Sequence, residues 1–318
     1  MIVDLPATTI SQVSKTLVRI REEGGAVALG RVLTLVIATR DGEAEEAIEA
    51  ANDASREHPM RVIVLADVAG AEDGLDAQIR VGGDAGASEV IVLRPHGAVA
   101  QDEESLVTGL LLPDAPVVVW WPREHPPAPA ESELGRMAQR RITDAAAAGD
   151  PIRSITALAR GYSPGDTDFS WTRLTRWRAQ LAAVLDQPPY EPVESVVVSG
   201  AGDSPSTELL AAWLRLQLDV PVTLEVNTSH GSSGIHGVIL HRASGPIELV
   251  REMPNVARLT QPGQPQHDVS LPRRSLPDCL AEELRRLDPD DLFGEVVRNG
   301  IAKLGLAGTT GSSSTRRE

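Results

Sequence analysis

The sequence predicts two α/β domains. The first has a mostly parallel sheet flanked by helices, the second a mixed sheet with C-terminal helices. Three observations lead there. Apolar, β-branched runs such as Val32–Ala38 show no polar alternation, as strands buried on both faces require. Helical stretches with one apolar face separate these runs through the first half of the chain. The chain has 318 residues, 42% of them hydrophobic, which is enough for two cores.

The elements follow in order. Thr9 with Gln12 three residues on reads as a capping box, and Ile10, Val13, Leu17 and Ile20 give the face of a helix that Gly24-Gly25 stops. After the strand Val32–Ala38 comes a helix whose apolar side is Ala44, Ala47, Ile48, Ala51 and Ala54. Its outer acids Glu43, Glu45, Glu46 and Glu49 suit the helix N-terminus. Strands are expected at Arg61–Leu65, Ile79–Val81, Glu89–Leu93 and Val117–Trp121, and helices over Glu103–Leu112 and Glu131–Ala147.

Gly149–Asp168 is rich in Gly, Pro, Asp and Ser and marks the domain boundary, giving an N-terminal domain over 1–160 and a C-terminal domain over 161–304. In the second, Asp168 caps a helix running to Leu185. Val196–Val198, a helix over Thr207–Leu218 and Val222–Val226 form a βαβ-like unit. Ile235–His241, Ile247–Arg251, Ala257–Thr260 and Asp268–Leu271 have the spacing of an antiparallel meander. Helices over Pro277–Leu287 and Asp290–Leu304 close the domain. Residues 305–318 are too small and polar to pack and are expected to form a loose tail.

Composition excludes several function classes. The net charge of −15 argues against a nucleic-acid binder, which needs a concentrated basic face. No run approaches 18 apolar residues, so no membrane span is expected. MIVDLPATTI has neither a basic nor an apolar leader region, which points to a cytoplasmic protein and makes the Asn227-Thr228-Ser229 sequon a chance match. The single Cys279 excludes an internal disulfide, and its place beside Leu276, Leu280 and Leu284 marks it as buried and inert.

Catalytic and cofactor signatures are missing. Gly200-Ala-Gly-Asp-Ser-Pro sits between a strand and a helix, but Pro205 takes the third glycine position of a dinucleotide fingerprint and Asp203 would oppose a pyrophosphate. Gly82–Gly86 lacks the Lys-Ser/Thr of a phosphate loop, and Gly231–Gly234 is equally well explained as a loop. The seven histidines are scattered, and His236 and His241 point to opposite faces of one strand, so no metal site is expected. No serine-elbow, SxxK or catalytic-cysteine pattern occurs. Neither a cofactor nor an enzymatic activity is expected.

What stands out is a pair of basic islands. Arg136–Arg141 holds Arg136, Arg140 and Arg141 without an acid. Phe169–Leu185 holds Arg173, Arg176 and Arg178, interleaved with Trp171 and Trp177, again without an acid. Arg and Trp are enriched at protein–protein hot spots. Trp171, Arg173, Arg176 and Arg178 with Arg140 and Arg141 are therefore the candidate partner contacts. Trp120 and Trp121 join them, because alternation lets one of the two face a cleft or partner. Against this stands packing of Trp177 beside Leu174 and Leu181, with the arginines paired to Asp144, Asp166 and Asp168. A phosphorylated ligand could use the same arginines.

Several blocks resemble the OpcA family, the glucose-6-phosphate dehydrogenase assembly proteins of actinobacteria and cyanobacteria, and the actinobacterial type in particular. They are RVLTLVIAT (Arg31–Thr39), ASREHPMRVIVL (Ala54–Leu65), RVGGDAGASE (Arg80–Glu89), LLLPDAPVVVWWP (Leu110–Pro122), RMAQRRITDA (Arg136–Ala145), GDTDFSWTRLTRWRAQLA (Gly165–Ala182) and RRSLPDCLAEELRRLDPD (Arg273–Asp290). The resemblance implies a non-catalytic protein that binds glucose-6-phosphate dehydrogenase, favours its active oligomer and activates it allosterically. Family members in oxygenic phototrophs are linked to thioredoxin control through cysteines, a pattern that one Cys cannot supply. The competing readings are a sugar-phosphate- or nucleotide-binding sensor and an enzyme on an α/β scaffold.

Overall fold

The computed structural model describes residues 1–23, 32–68, 72–82, 89–227 and 234–305. The Gly24-Gly25 stop, most of the Gly82–Gly86 and Gly231–Gly234 loops, the sequon beyond Asn227 and the tail after Gly305 lie outside the described residues. The order begins β1 (Ile2–Leu5), α1 (Ile10–Glu23), β2 (Leu33–Arg40), α2 (Glu45–Ala54), β3 (Met60–Asp67), β4 (Gly74–Arg80) and β5 (Glu89–His96). It continues α3 (Glu103–Thr108), β6 (Val117–Trp121), α4 (Glu133–Met137), β7 (Arg140–Thr143), α5 (Pro151–Gly161), β8 (Asp166–Asp168) and α6 (Phe169–Thr172). Then come α7 (Thr175–Leu185), β9 (Ser195–Ala201), α8 (Pro205–Leu218), β10 (Val222–Asn227), β11 (Ile235–His241), β12 (Ile247–Met253), β13 (Val256–Thr260) and β14 (His267–Ser270). The last elements are α9 (Leu276–Arg285), α10 (Asp291–Glu295), a π turn at Val296–Gly300 and α11 (Ile301–Lys303).

The chain forms two compact units. One comprises Met1–Arg173 and Arg273–Asp290, the other Leu174–Pro272 and the described residues from Asp291 onward. The first unit therefore contains α9, which the sequence pattern groups with the second half.

The first unit is built on an eight-stranded sheet in the order β1-β4-β5-β3-β2-β6-β7-β8. From β5 to β8 all neighbours are parallel, and β4 pairs antiparallel with both β1 and β5. Unbroken apolar runs suit the central strands because both faces are covered. Leu35, Ile37, Val62, Val64, Val118 and Trp120 face α2 and α9. Val36, Ile63, Val119 and Trp121 face α1, α3 and Leu134 of α4. At the start of α1, the Gln12 amide donates to Thr9 Oγ1 at 3.3 Å, as the capping pattern predicts.

The structure adds detail to the sequence pattern in three places, two of them corrections to expected helices. The helix expected over Glu131–Ala147 is only α4 followed by β7, because Ala138 turns extended and Arg140–Thr143 pairs in parallel with both β6 and β8. The boundary stretch Gly149–Asp168 contains α5, started by Pro151 and capped by Asp150, as well as β8. Helix Asp168–Leu185 is broken at Arg173-Leu174 into α6 and α7.

The second unit carries a six-stranded sheet in the order β10-β9-β11-β12-β13-β14, with β10 and β9 parallel and the rest an antiparallel meander. Trp177, Leu181 and Val184 of α7 are buried, as are Leu209, Leu210 and Leu214 of α8. Gly300 in the π turn comes so close to Ala212 of α8 that a Cβ there would stand 2.8 Å from its carbonyl oxygen. Among the described residues no helix is long and apolar enough to cross a membrane.

Candidate functional site

The first Arg island lies at the start of β7. Arg140 and Arg141 are almost entirely buried, so each guanidinium must meet a compensating charge. Arg140 pairs with Glu283 of α9 and donates from Nη1 to the Asp288 carbonyl at 2.9 Å. Arg141 pairs with Asp166 of β8 at 2.5 Å and donates to the carbonyls of Ala138 and Pro164. Arg136 stays on the surface, 3.7 Å from Glu104.

The second island divides between the two units. Trp171 of α6 is buried, and its Nε1 donates to Asp290 at 2.8 Å. Arg173 holds Asp144 through two bonds of 2.7 Å and lies over the Phe169 ring. Burial opposes the charge of Arg173, but the bonds and charge of Asp144 outweigh it and hold the guanidinium protonated. Asp168, fully buried, has its carboxyl raised by burial and then by Asp144; bonds from Thr143, Ala145 and Ser170 oppose that rise. The pairing alternative thus describes Arg141 with Asp166 and Arg173 with Asp144.

In the second unit Trp177 is buried under the Arg251 guanidinium, whose carbon lies 5.4 Å from the ring centroid. On the same helix Arg178 is half-buried and Arg176 is exposed. Trp120 and Trp121 alternate onto opposite faces of the sheet, and both are buried. Trp120 packs on Phe169 at 5.5 Å between ring centroids, while Trp121 lines a cavity at the carboxyl edge of the sheet. Of the eight proposed contact residues, the fold therefore buries Trp120, Trp121, Arg140, Arg141 and Trp171. Arg176 is the one of the eight with an exposed side chain.

Sequence reasoning missed the acids that satisfy these groups. Glu283, Asp288 and Asp290 lie more than a hundred residues from their partners, since Arg140 and Glu283 are 143 positions apart. The signal was the block RRSLPDCLAEELRRLDPD, which carries all three. Thr172 also donates to Glu283, at 2.6 Å, and the Arg274 guanidinium pairs with Glu282 and reaches the Thr172 carbonyl at 3.4 Å. Segment 273–290 is thereby fastened to β7 and α6.

Gly200–Pro205 leads from β9 into α8, with Pro205 in the first turn and Glu208 just behind it. Burial pushes the Glu208 carboxyl up to about 7, and neither it nor Asp203 in the preceding turn offers a phosphate a cation. Among the described residues no group of three or more His, Cys, Asp and Glu could hold a metal ion.

Comparison with known proteins adds the following. Two family models match in tandem: a glucose-6-phosphate dehydrogenase subunit N-terminal domain over residues 51–160, and the corresponding C-terminal domain over residues 164–297. No curated protein matches significantly. Among solved structures, KijD10, a 3-ketoreductase from Actinomadura kijaniata in complex with TDP-benzene and NADP, is 12% identical with a TM-score of 0.48, covering 88% of this chain and 98% of its own. Glucose-6-phosphate 1-dehydrogenase from Mycobacterium avium is 13% identical with a TM-score of 0.43, covering 84% of this chain and 90% of its own. Neither value carries a ligand or an activity to this chain.

Proposed function

Because the chain belongs to the OpcA family of glucose-6-phosphate dehydrogenase subunits, we propose that it is a non-catalytic, cytoplasmic assembly factor and allosteric activator of that dehydrogenase. The observation that carries this reading is the tandem match of both family domains, in order, over 51–160 and 164–297. The mechanism is a population shift. Binding the active dehydrogenase oligomer more tightly than the inactive form by about 1.4 kcal/mol moves the equilibrium tenfold.

The arginine and tryptophan islands divide into two roles under this proposal. Arg140, Arg141, Trp171 and Arg173 fasten the first unit internally, and their burial and intramolecular partners support that role. The contact falls to the exposed side of α7, where Arg176 presents its guanidinium; Arg178, two residues on, lies on the opposite side of the helix.

Mixing the purified protein with its cognate dehydrogenase, and following activity and sedimentation together, tests the proposal. A complex with raised activity is expected. Its absence across micromolar concentrations would overturn the functional reading. An Arg176→Glu variant that binds normally would overturn only the choice of surface.

A further inference from the structure

The strands of the first unit's sheet run in both directions outward from β2. The chain passes from β2 to β3 and β5 on one side, then returns to β6, β7 and β8 on the other. In an open parallel sheet, ligands settle outside the carboxyl ends at such a switch point. A cavity of about 620 Å³ occupies that place, lined by the ends of β2, β3 and β6 and by the loops that follow β6 and β7. The volume lies in the range of small-molecule sites.

The lining decides the kind of ligand. A dinucleotide needs a glycine-rich turn and a bare helix N-terminus, yet the turn from β2 into α2 has one glycine, Gly42, and carries Glu43, Glu45 and Glu46. Within the cavity Arg40 and Arg123 face Glu43, Asp67, Glu103 and Glu124, a surplus of acid that repels phosphate. Some of these groups are committed: Arg123 stands 3.6 Å from Glu43, and Glu124 accepts the Gly149 amide at 3.0 Å. Arg40, Asp67 and Glu103 come from three different elements. Among the described residues none of the three has a salt bridge or a side-chain hydrogen bond.

A guanidinium only donates and carboxylates chiefly accept, so a ligand that satisfies all three must offer both functions close together. Hydroxyl groups do, whereas phosphates lack donors and ammonium groups lack acceptors. Burial, and then Glu133 and Asp67, raise the Glu103 carboxyl, which favours an uncharged donor over a further anion. Trp121 adds an apolar aromatic surface to the lining. We propose that this crevice binds a small neutral polyhydroxy compound, a sugar or cyclic polyol, between Arg40 and the Asp67–Glu103 pair.

The test uses the full chain alone, so it stands apart from the assembly reading. D-glucose and myo-inositol serve as neutral probes in ligand-observed NMR and calorimetry, with glucose 6-phosphate, NADP and arginine amide as charged counterparts. Saturable millimolar binding of a neutral probe is expected, weakened about tenfold or more in Arg40→Ala and in Asp67→Ala. Thermal denaturation of both surface variants should match that of the parent. The proposal is overturned if neither neutral probe binds at tens of millimolar, if both variants bind as the parent does, or if a charged probe binds more tightly than either neutral one.

Discussion

The indole N–H of Trp171 donates to the Asp290 carboxylate at 2.8 Å, joining residues 119 positions apart. Trp171 lies two residues before the point where the chain leaves the first unit, and Asp290 is the last residue of the segment that returns to it. The bond therefore ties the end of one segment to the end of the other. Trp171→Phe keeps most of the ring's bulk and removes the donor. A bond to a charged acceptor is worth about 1.5–3 kcal/mol, and a loss of that size is expected in urea denaturation. An unchanged midpoint would show that the bond contributes nothing.

The Arg140–Glu283 pair is buried on both sides, with side-chain exposures of 4% and 7%. Truncating one partner strands the other charge. Arg140→Ala is expected to cost about 3–5 kcal/mol, far more than the exposed pair Arg285–Glu57, where Arg285→Ala should cost about 0–1 kcal/mol. Urea unfolding of the two variants side by side checks the contrast, and equal costs would contradict it.

Glu208 gives a pH signature. Burial raises its carboxyl from 4.5 to about 7, so between those values the folded chain holds a proton that the unfolded chain has released. Its contribution to stability is present in full below about pH 4.5 and is lost as the pH rises through 7. Glu208→Gln removes that loss. The variant should gain stability over the parent as the pH is raised from 5 to 8, on the order of 1–2 kcal/mol after allowance for its partial exposure. A parent-minus-variant difference that is flat with pH in thermal scans would refute this.

Cys279 is buried against α2, and burial pushes its thiol from 9.0 up to about 12. At pH 8 the thiolate fraction falls by about a thousandfold relative to a free cysteine. Alkylation of the folded protein by iodoacetamide is expected to be correspondingly slow, with rapid labelling only after denaturation. Prompt labelling of the native chain would show an accessible thiol and reopen redox control.

Much of the fold was legible because its signals are local. The apolar runs of β2, β3, β5 and β6, the Thr9 cap and the spacing of the β11–β14 meander all depend on neighbours within a few residues. The failures have the opposite cause. Arg140–Thr143 reads as helix from its neighbours, but strands on both sides supply the hydrogen bonds that make it β7. The candidate contacts were read in the same local way: the islands hold no acid along the chain, yet in space Arg136, Arg140, Arg141 and Arg173 each meet one.

By itself, the sequence determined the α/β class, the buried parallel strands, the solitary inert cysteine and the family blocks, because each is a property of residue type at short spacing. Only the tertiary structure decided which Arg and Trp side chains hold the fold together and which face outward. A buried charge must find its counter-charge wherever the fold brings one, and for Arg140 that is 143 residues away on α9. The crevice at the switch point is likewise assembled from the ends of several strands and from the loops between them, so no single stretch of sequence could announce it.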